Sequence, residues 1–253
     1  MSKVAIITGA STGLGEEFAK QLKTYFPEIG QVWLIARRRE RLEDLAAKLS
    51  GMETVVLPLD LCEKSSFDVL QAKLQAEKPV VGILINNAGC GYLGEVGEDD
   101  CGRQTRMTDL NVTALTAITH LTIPYMTSGS RIINVSSIAS FCANARMTVY
   151  SSTKAYVSSF TRGLSVELKG KGIAVTAVCP GPMDTEFITK GEIKGNSPMF
   201  AMLPYCKPVK VVAGTLAASQ AGRVFYTPGG FYKFYRVLAK LAPHGIIAPL
   251  AKC

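Results

Sequence analysis

The sequence predicts an α/β fold in which a single doubly wound parallel sheet of the Rossmann type carries helices on both faces. Two observations predict this fold. Short apolar runs rich in Val, Ile and Leu recur along the chain, as expected for parallel strands that are buried on both faces. Longer segments with a helical spacing of apolar residues separate these runs, so strand and helix alternate along the chain.

The predicted elements follow one another in a regular order. The first apolar run is a strand that leads into a glycine-rich turn, and amphipathic stretches separate the later strands. Such alternation joins parallel neighbours by right-handed crossovers. The predicted strands are Val4–Ile7, Val32–Ala36, Thr54–Leu59, Gly82–Ile85, Ile132–Val135, Ala174–Val178 and Val224–Tyr226, and the clearest amphipathic helices are Glu16–Tyr25, Glu40–Leu49 and Ser66–Glu77.

Length and composition indicate one domain over residues 1–253. A chain of this length buries a large core, and 47% hydrophobic against 19% charged residues is typical of a folded protein. Two segments interrupt the alternation. Residues 183–208, rich in Gly, Pro, Met and Phe, are predicted to form a lid over a substrate, and residues 231–253 to form a basic amphipathic extension.

Charge and cysteine content narrow the partners and the location. The formal net charge of +8 suits anionic partners, but the 28 Lys and Arg residues are spread along the chain, so nucleic acid is not favoured. Seven cysteines without CxxC spacing indicate reduced thiols in a cytoplasmic protein. Neither a leader nor a spanning segment is indicated. His120 and His244 lack acids at ligand spacing, so no metal site is expected.

The turn after the first predicted strand has the pattern of a phosphate-binding loop. It reads Thr8-Gly9-Ala10-Ser11-Thr12-Gly13-Leu14-Gly15 and continues into a helical segment. Glycines permit a tight turn and a close approach of backbone to a pyrophosphate, and the helix N-terminus offers free N–H groups. The position between a strand and a helix therefore predicts a dinucleotide site. Its candidate residues are Gly9, Ser11, Thr12, Gly13, Leu14 and Gly15.

The end of the second predicted strand indicates the choice of cofactor. A carboxylate there would accept hydrogen bonds from the ribose hydroxyls of NAD, whereas an arginine accommodates the 2′-phosphate of NADP. The chain has Ala36-Arg37-Arg38-Arg39 and no acid. Arg37, helped by Ser11, is therefore predicted to bind phosphate, and NADP is favoured over NAD. Arg38 and Arg39 are interpreted as the solvated start of a helix.

A tyrosine and a lysine at helical spacing predict an acid/base site. Tyr150 is followed four residues later by Lys154, which places both side chains on one face of a helix. A phenol is a poor base at neutral pH, and a neighbouring ammonium lowers its pKa towards the working range. Ser137, at the end of the strand Ile132–Val135, is expected to hold a substrate oxygen beside them.

These motifs together resemble the short-chain dehydrogenase/reductase family over roughly residues 1–230. The resemblance implies hydride transfer between a nicotinamide and a hydroxyl or carbonyl carbon, in the manner of an NADP-preferring carbonyl reductase or hydroxysteroid dehydrogenase. The matching motifs are Thr8–Gly15, Asn86–Gly89, Ser137, Tyr150 with Lys154, and Pro180-Gly181 with Thr185.

The resemblance also implies a role for each residue of the catalytic set. Tyr150 donates a proton in reduction and accepts it in oxidation, while Lys154 lowers its pKa and binds ribose. Ser137 orients the substrate oxygen. Asn111, within Asp109-Leu110-Asn111-Val112, anchors a water that links Lys154 to solvent. Ser136 is expected to face the core instead, because neighbouring strand residues alternate sides.

The remaining implied contacts surround the cofactor and the subunit interface. Members of the family usually form dimers or tetramers through the long helices that follow Asn87 and Tyr150, so the resemblance implies a homodimer or a homotetramer. The implied cofactor contacts are Asp60 and Leu61 at adenine, Asn87, Ala88 and Gly89 at the adenosine ribose, and Pro180, Gly181, Met183 and Thr185 at the nicotinamide.

The expected walls of the substrate pocket are mostly apolar. No arginine pair is placed to bind a carboxylate, so a hydrophobic carbonyl compound is expected as substrate, such as a steroid, a long-chain acyl compound or an aromatic ketone. The wall residues are predicted to be Cys90, Tyr92, Ile138, Phe141, Met147 and Met183, with Phe187, Met199, Phe200, Met202 and Leu203 in the lid.

The segment Phe231–Leu241 has helical period and a basic stripe of Lys233, Arg236 and Lys240. A packed terminal helix, covering the pocket or joining subunits, is favoured here over one that lies on an anionic membrane. Two other functions stay open on the same fold: a non-catalytic NADP-sensing regulator, and a peripheral membrane or assembly protein. The presence of Tyr150 with its catalytic partners favours an enzyme.

Overall fold

The computed structural model describes residues 3–193, 197, 202–243 and 245, and these build one seven-stranded parallel sheet. The strand order is β3-β2-β1-β4-β5-β6-β7. The order reverses between β1 and β4, and such a reversal opens a crevice at the carboxyl ends of the strands. The strands are β1 Lys3–Thr8, β2 Ile29–Ala36, β3 Glu53–Pro58, β4 Val81–Asn86, β5 Met126–Val135, β6 Ala174–Val178 and β7 Phe225–Tyr226.

Helices cover both faces of this sheet. A π-helical turn, Asp109–Ala114, joins the fourth and fifth helices, and short 3₁₀ turns occur at Ile123–Tyr125, Ile138–Ser140 and Lys169–Lys171. The α-helices are α1 Gly13–Tyr25, α2 Arg39–Lys48, α3 Lys64–Glu77, α4 Cys101–Thr108, α5 Leu115–Thr122, α6 Thr148–Glu167, α7 Glu186–Lys190, α8 Pro208–Gln220 and α9 Gly230–Leu241.

The core lies in two layers because β1 is apolar on both sides. Ala5 and Ile7 face one cluster, which contains side chains of α1, α2 and α8, while Val4 and Ile6 face a second cluster with α3, α5 and α6. Full burial of a Leu or Ile side chain stabilises a fold by about 1.5–3 kcal/mol. The continuous apolar runs of the sequence therefore encode strands that both layers of helices hold in place.

The fold class predicted from the sequence is confirmed, with differences at the element ends. β5 begins at Met126, six residues before the predicted start, because its first part contains polar residues that are exposed and carry no apolar signal. The predicted lid lies partly outside the described residues, as do positions 244 and 246–253 of the extension. Within the described part of the chain, no helix is long and apolar enough to cross a bilayer.

Candidate active site

The glycine-rich loop is fastened to the end of β4. The Thr8 hydroxyl accepts hydrogen bonds from the backbone N–H groups of Asn87 and Ala88, both at 3.0 Å, and Asn87 Nδ2 donates to Thr8 O at 2.9 Å. Gly9 has φ +67°, and a Cβ there would lie 2.9 Å from the Cα of Ala88. The loop therefore needs glycine at this position for two reasons, backbone conformation and close approach.

Gly15, in the first turn of α1, packs directly against the backbone of the glycine-rich loop. A Cβ at this position would lie 2.2 Å from Gly9 O and 2.5 Å from Asn87 Nδ2. Gly15 does not line the cleft and has a packing role in this structure, and its contact with a cofactor stays a prediction. It allows α1 to start close beneath the loop, which directs the N–H groups of the helix towards the cleft.

The loop opens onto a cleft of about 510 Å³ at the carboxyl ends of the strands. The cleft brings together nearly all of the predicted site residues from separate parts of the chain. Those on its wall are Gly9, Ser11, Thr12, Gly13, Leu14, Arg37, Asp60, Leu61, Asn87, Ala88, Gly89, Ser137, Tyr150, Lys154, Pro180, Gly181, Met183 and Thr185. The cleft therefore extends from Arg37, after the end of β2, to Tyr150.

Asp60 is held by two arginines at one end of the cleft. Arg106 Nη2 lies 3.1 Å from its carboxylate, and Arg37 Nη1 lies 3.8 Å away. Partial burial opposes ionisation of Asp60, but the backbone N–H of Cys62 and the Arg106 guanidinium outweigh it and lower the pKa of the carboxyl. Sequence reasoning missed Arg106, because α4 carries no motif that indicates its contact with the end of β3.

Arg38 reaches across the cleft, so its interpretation as a solvated helix residue is wrong. Its Nη2 donates to Ser11 Oγ at 3.2 Å, and its Nη1 donates to Glu186 at 2.9 Å. Arg39 is exposed as predicted and pairs with Glu43 one turn later. The backbone at Arg38 is extended and precedes α2, which directs its side chain back over the glycine-rich loop.

Tyr150 and Ser137 meet at the opposite end of the cleft. Both side chains line the same cleft, and Ser137 Oγ accepts a hydrogen bond from the N–H of Ala139 at 3.1 Å. Burial raises the pKa of Tyr150 to about 12, and the Ser137 hydroxyl opposes that rise. Ser136 faces the core as predicted, where its hydroxyl donates to Lys154 O.

Lys154 lies one helical turn after Tyr150 and is also buried. Its Nζ donates to Val135 O at 2.9 Å and lies 5.7 Å from the centre of the Tyr150 ring. Burial lowers the pKa of Lys154 to about 8. A Cβ on Gly89 would lie 3.5 Å from this ammonium, so the bare backbone after β4 leaves room between Lys154 and the cleft.

Asn111 lies behind Lys154, in the π-helical turn. Its Oδ1 accepts from Cys90 N at 2.9 Å, and its Nδ2 donates to Cys90 O at 2.8 Å and to Thr153 Oγ1 at 3.0 Å. Asn111 is not on the cleft wall. Its side chain joins the loop after β4 to α6, and π-helical turns of this kind are frequent at functional sites.

The apolar part of the cleft differs from the predicted pocket. Ile138, Met147, Met183, Phe187 and Leu203 do line it. Cys90 and Tyr92 pack beneath Tyr150 instead, Phe141 packs against Tyr235, and Met202 is exposed. Met199 and Phe200 lie outside the described residues. Further lining residues come from α9, the terminal segment for which the sequence favoured packing over the pocket or between subunits: Phe231, Tyr232, Tyr235 and Leu238.

Comparison with known proteins agrees with this geometry. Residues 3–194 match the short chain dehydrogenase family. The chain belongs to the short-chain dehydrogenases. An uncharacterized oxidoreductase of Staphylococcus aureus is 34% identical over 185 residues, which cover 72% of this chain and 79% of the relative. The very-long-chain 3-oxoacyl-CoA reductase of Anas platyrhynchos is 33% identical over 186 residues, covering 70% of this chain and 58% of that protein.

A solved structure extends the likeness to nearly the whole dehydrogenase. The short-chain dehydrogenase from Sphingobium yanoikuyae in complex with NADPH has a TM-score of 0.82 and 26% sequence identity, covering 97% of this chain and 95% of the other. The dehydrogenase is accordingly an oxidoreductase of a family that acts on hydroxyl and carbonyl groups. Within the described residues, no cluster of three or more His, Cys, Asp or Glu side chains is arranged to hold a metal ion.

Proposed function

We propose that this dehydrogenase is an NADP(H)-dependent enzyme that interconverts hydrophobic ketones and alcohols. One observation carries the proposal: Tyr150 and Ser137 share a cleft with the glycine-rich loop. A phenol on the same wall as a glycine-rich loop of the phosphate-binding type supports proton transfer beside a bound nucleotide. When bound, the nicotinamide of the cofactor supplies or accepts the hydride.

The side chains of the cleft bind the substrate oxygen and transfer the proton. Ser137 holds the substrate oxygen by a hydrogen bond, and Tyr150 gives its phenolic proton to that oxygen in reduction and takes it back in oxidation. The ammonium of Lys154, 5.7 Å from the ring, stabilises the phenolate left behind. Asn111 positions α6 through its hydrogen bond to Thr153 and anchors a water beside Lys154. This water returns a proton to Tyr150 after each reduction.

The preference for NADP over NAD rests on the end of β2. This end has no carboxylate of its own to accept hydrogen bonds from a ribose, and two arginines, Arg37 and Arg38, line the cleft there. Guanidinium groups match a phosphate with paired donors. Arg38 already contacts Ser11 on the loop, so the two together form a pocket for a 2′-phosphate. The similar enzyme of Sphingobium yanoikuyae, which was solved with NADPH, supports the same choice.

A hydrophobic substrate is proposed from the apolar wall beyond Tyr150. Ile138, Met147, Phe187 and Leu203 line this part of the cleft, and α9 adds Phe231 with other apolar side chains. Apolar walls with few polar groups select ligands by burial of apolar surface. A long-chain acyl, steroid or aromatic ketone fits this chemistry, and the duck relative is named for a very-long-chain 3-oxoacyl substrate.

Residues 183–208 are proposed as the lid of this cleft, and a homodimer or homotetramer as the assembly. Glu186 and Phe187 of α7 line the cleft, which supports the lid. Val166 of α6 is 75% exposed, and Tyr156 stacks on Phe160 along the same helix, which supports an interface there. Light scattering measures the oligomer. The cytoplasmic location rests on the six described cysteines, all of which are free thiols.

Oxidation of NADPH and NADH with a panel of steroid, acyl and aromatic ketones tests the proposal. Tyr150→Phe should abolish turnover while NADPH still binds. Tyr156→Phe is the matched control, because this exposed tyrosine lies on the same helix, outside the cleft wall, and its hydroxyl forms a hydrogen bond with Thr116. Tight NADPH binding without turnover on any ketone would favour the sensing regulator, and a clear preference for NADH would contradict the assignment of the two arginines.

A further inference from the structure

The terminal helix α9 carries a broad exposed apolar face. Of twelve large hydrophobic side chains that are exposed in the described part of the chain, five belong to this helix, with exposed fractions between 46% and 76%. At about 100° per residue they occupy one arc of about 120°. A contiguous apolar patch marks an interaction site, whereas single exposed apolar residues do not. The five are Phe231, Phe234, Val237, Leu238 and Leu241.

The opposite side of α9 packs against the rest of the protein, so the apolar arc faces outward. Tyr232 and Ala239 are buried, and Tyr232 donates a hydrogen bond to Pro204 O at 2.5 Å. The Tyr232 ring lies so close to Gly181 that a Cβ there would be 2.2 Å from it. The Arg236 guanidinium stacks over Phe225 at 4.6 Å. These contacts hold α9 in one orientation about its axis, with one side packed over the cleft as expected and the apolar arc facing outward.

The net charge of the chain resides at this end. Residues 1–192 contain twenty basic and twenty acidic residues, whereas residues 193–253 contain eight basic residues and no Asp or Glu. The formal charge of +8 is therefore entirely that of the last segment. On α9 the exposed Lys233 and Lys240 border the apolar arc. An apolar helix face with lysines along its edge is the pattern of helices that lie in an anionic lipid interface.

We propose that α9 docks the protein onto an anionic phospholipid surface. In this arrangement, the five apolar side chains lie between the lipid headgroups, and Lys233 and Lys240 contact the phosphates above them. A second copy of the chain fits this face less well. A symmetric contact would bring Lys233 and Lys240 of one copy towards the same lysines of the other, and like charges oppose association.

Docking in this orientation places the mouth of the cleft against the lipid. Phe231 and Leu238 belong both to the exposed arc and to the cleft wall. An apolar substrate can then pass from the bilayer into the cleft without crossing water. This step, unlike the docking itself, rests on the proposed function, because it requires a hydrophobic ketone or alcohol as substrate.

Sedimentation of the full-length protein with vesicles tests the docking without any turnover. The protein should bind vesicles of phosphatidylcholine with phosphatidylserine, bind phosphatidylcholine alone poorly, and dissociate as salt is raised. Val237→Asp should reduce binding at least about tenfold, and the pair Lys233→Glu with Lys240→Glu should do the same. Matched controls on other helices are Val69→Asp, an exposed valine of α3, and the pair Lys48→Glu with Lys64→Glu.

Three results would overturn the proposal: no vesicle binding, equal binding to neutral and anionic vesicles, or binding that Val237→Asp leaves unchanged. A variant that alters only the sedimentation coefficient in solution would assign the face to contact between copies instead. Turnover separates docking from catalysis. Val237→Asp should leave the rate on a water-soluble ketone unchanged and lower the rate on a vesicle-embedded one, whereas failure of the proposed function removes both rates and leaves vesicle binding intact.

Discussion

Arg38 and Glu186 join the end of β2 to α7 across the cleft. Arg38 Nη1 lies 2.9 Å from Glu186 Oε2, and the same carboxylate receives Lys190 and Arg41. The hydrogen bond from Lys190 and those from Arg41 and Arg38 outweigh partial desolvation and lower the pKa of Glu186 to about 2. At neutral pH, a 2′-phosphate must therefore compete with an ionised carboxylate for Arg38.

Replacing Glu186 should strengthen the binding of NADPH. Glu186→Gln removes the competing charge while it keeps the shape of the side chain, so Arg38 and Arg41 become available to a phosphate. Because surface ion pairs are weak, the Kd for NADPH should fall only about two- to fivefold, with little change for NADH. Fluorescence titration measures both constants. Glu43→Gln, which breaks the neighbouring pair with Arg39, is the control and should change neither.

Removing Arg38 should have the opposite effect. Arg38→Ala deletes a charged donor to the proposed 2′-phosphate site, and hydrogen bonds to charged groups contribute about 1.5–3 kcal/mol. The Kd for NADPH should rise about 10- to 100-fold, and the Kd for NADH should stay within about twofold. Arg39→Ala serves as control, since that side chain is 62% exposed. Equal losses for both cofactors would show that Arg38 supports the loop rather than the phosphate.

Burial of Lys154 should make stability depend on pH. Its pKa falls from 10.5 to about 8 on folding, so the unfolded chain binds the proton more tightly between these values. Burial of the charged ammonium lowers the free energy of unfolding by roughly 3 kcal/mol below about pH 8. This loss disappears as pH rises towards 10.5. In urea unfolding without cofactor, the wild type should gain about 2 kcal/mol between about pH 7.5 and about pH 9.5 relative to Lys154→Met.

The control for that measurement is Lys48→Met, which changes an exposed lysine of α2. The free energy of unfolding of this variant should change with pH as that of the wild type does. The rise of the Tyr150 pKa to about 12 acts only above pH 10, where the unfolded chain loses the phenolic proton first and stability falls. The two effects therefore separate on the pH axis. Parallel curves for the wild type and Lys154→Met would show that Lys154 is not desolvated.

Gly91 should be essential for the position of the Tyr150 ring. A Cβ at Gly91 would lie 2.6 Å from Phe187 Cζ and 2.8 Å from Tyr150 Cδ2. Gly91→Ala must therefore displace one of these rings, and a displacement near 1 Å costs about 100-fold in rate. We expect kcat to fall by that order while NADPH binding changes little. Gly170→Ala is the matched control, because nothing lies within 4 Å of its added methyl group.

Much of the site could be predicted because the residues of its motifs lie close together in the sequence. The glycine-rich turn lies directly between β1 and α1, and Tyr150 precedes Lys154 by one helical turn, so each pattern is complete within one stretch of chain. Local backbone geometry alone brings such residues together. Asn111 was found through a resemblance, and its hydrogen bonds to Cys90 depend on the path of the chain after β4.

Contacts across long separations could not be predicted. Arg38 meets Glu186 over 148 residues, and Arg106 meets Asp60 over 46. No local sequence pattern predicts which distant carboxylate an arginine side chain will contact. The sequence alone determined the alternation of strand and helix and the chemistry of the cleft, because these depend on local spacing. Only the tertiary structure decided which arginine bridges the cleft and which face of α9 meets solvent, because both follow from how distant elements pack.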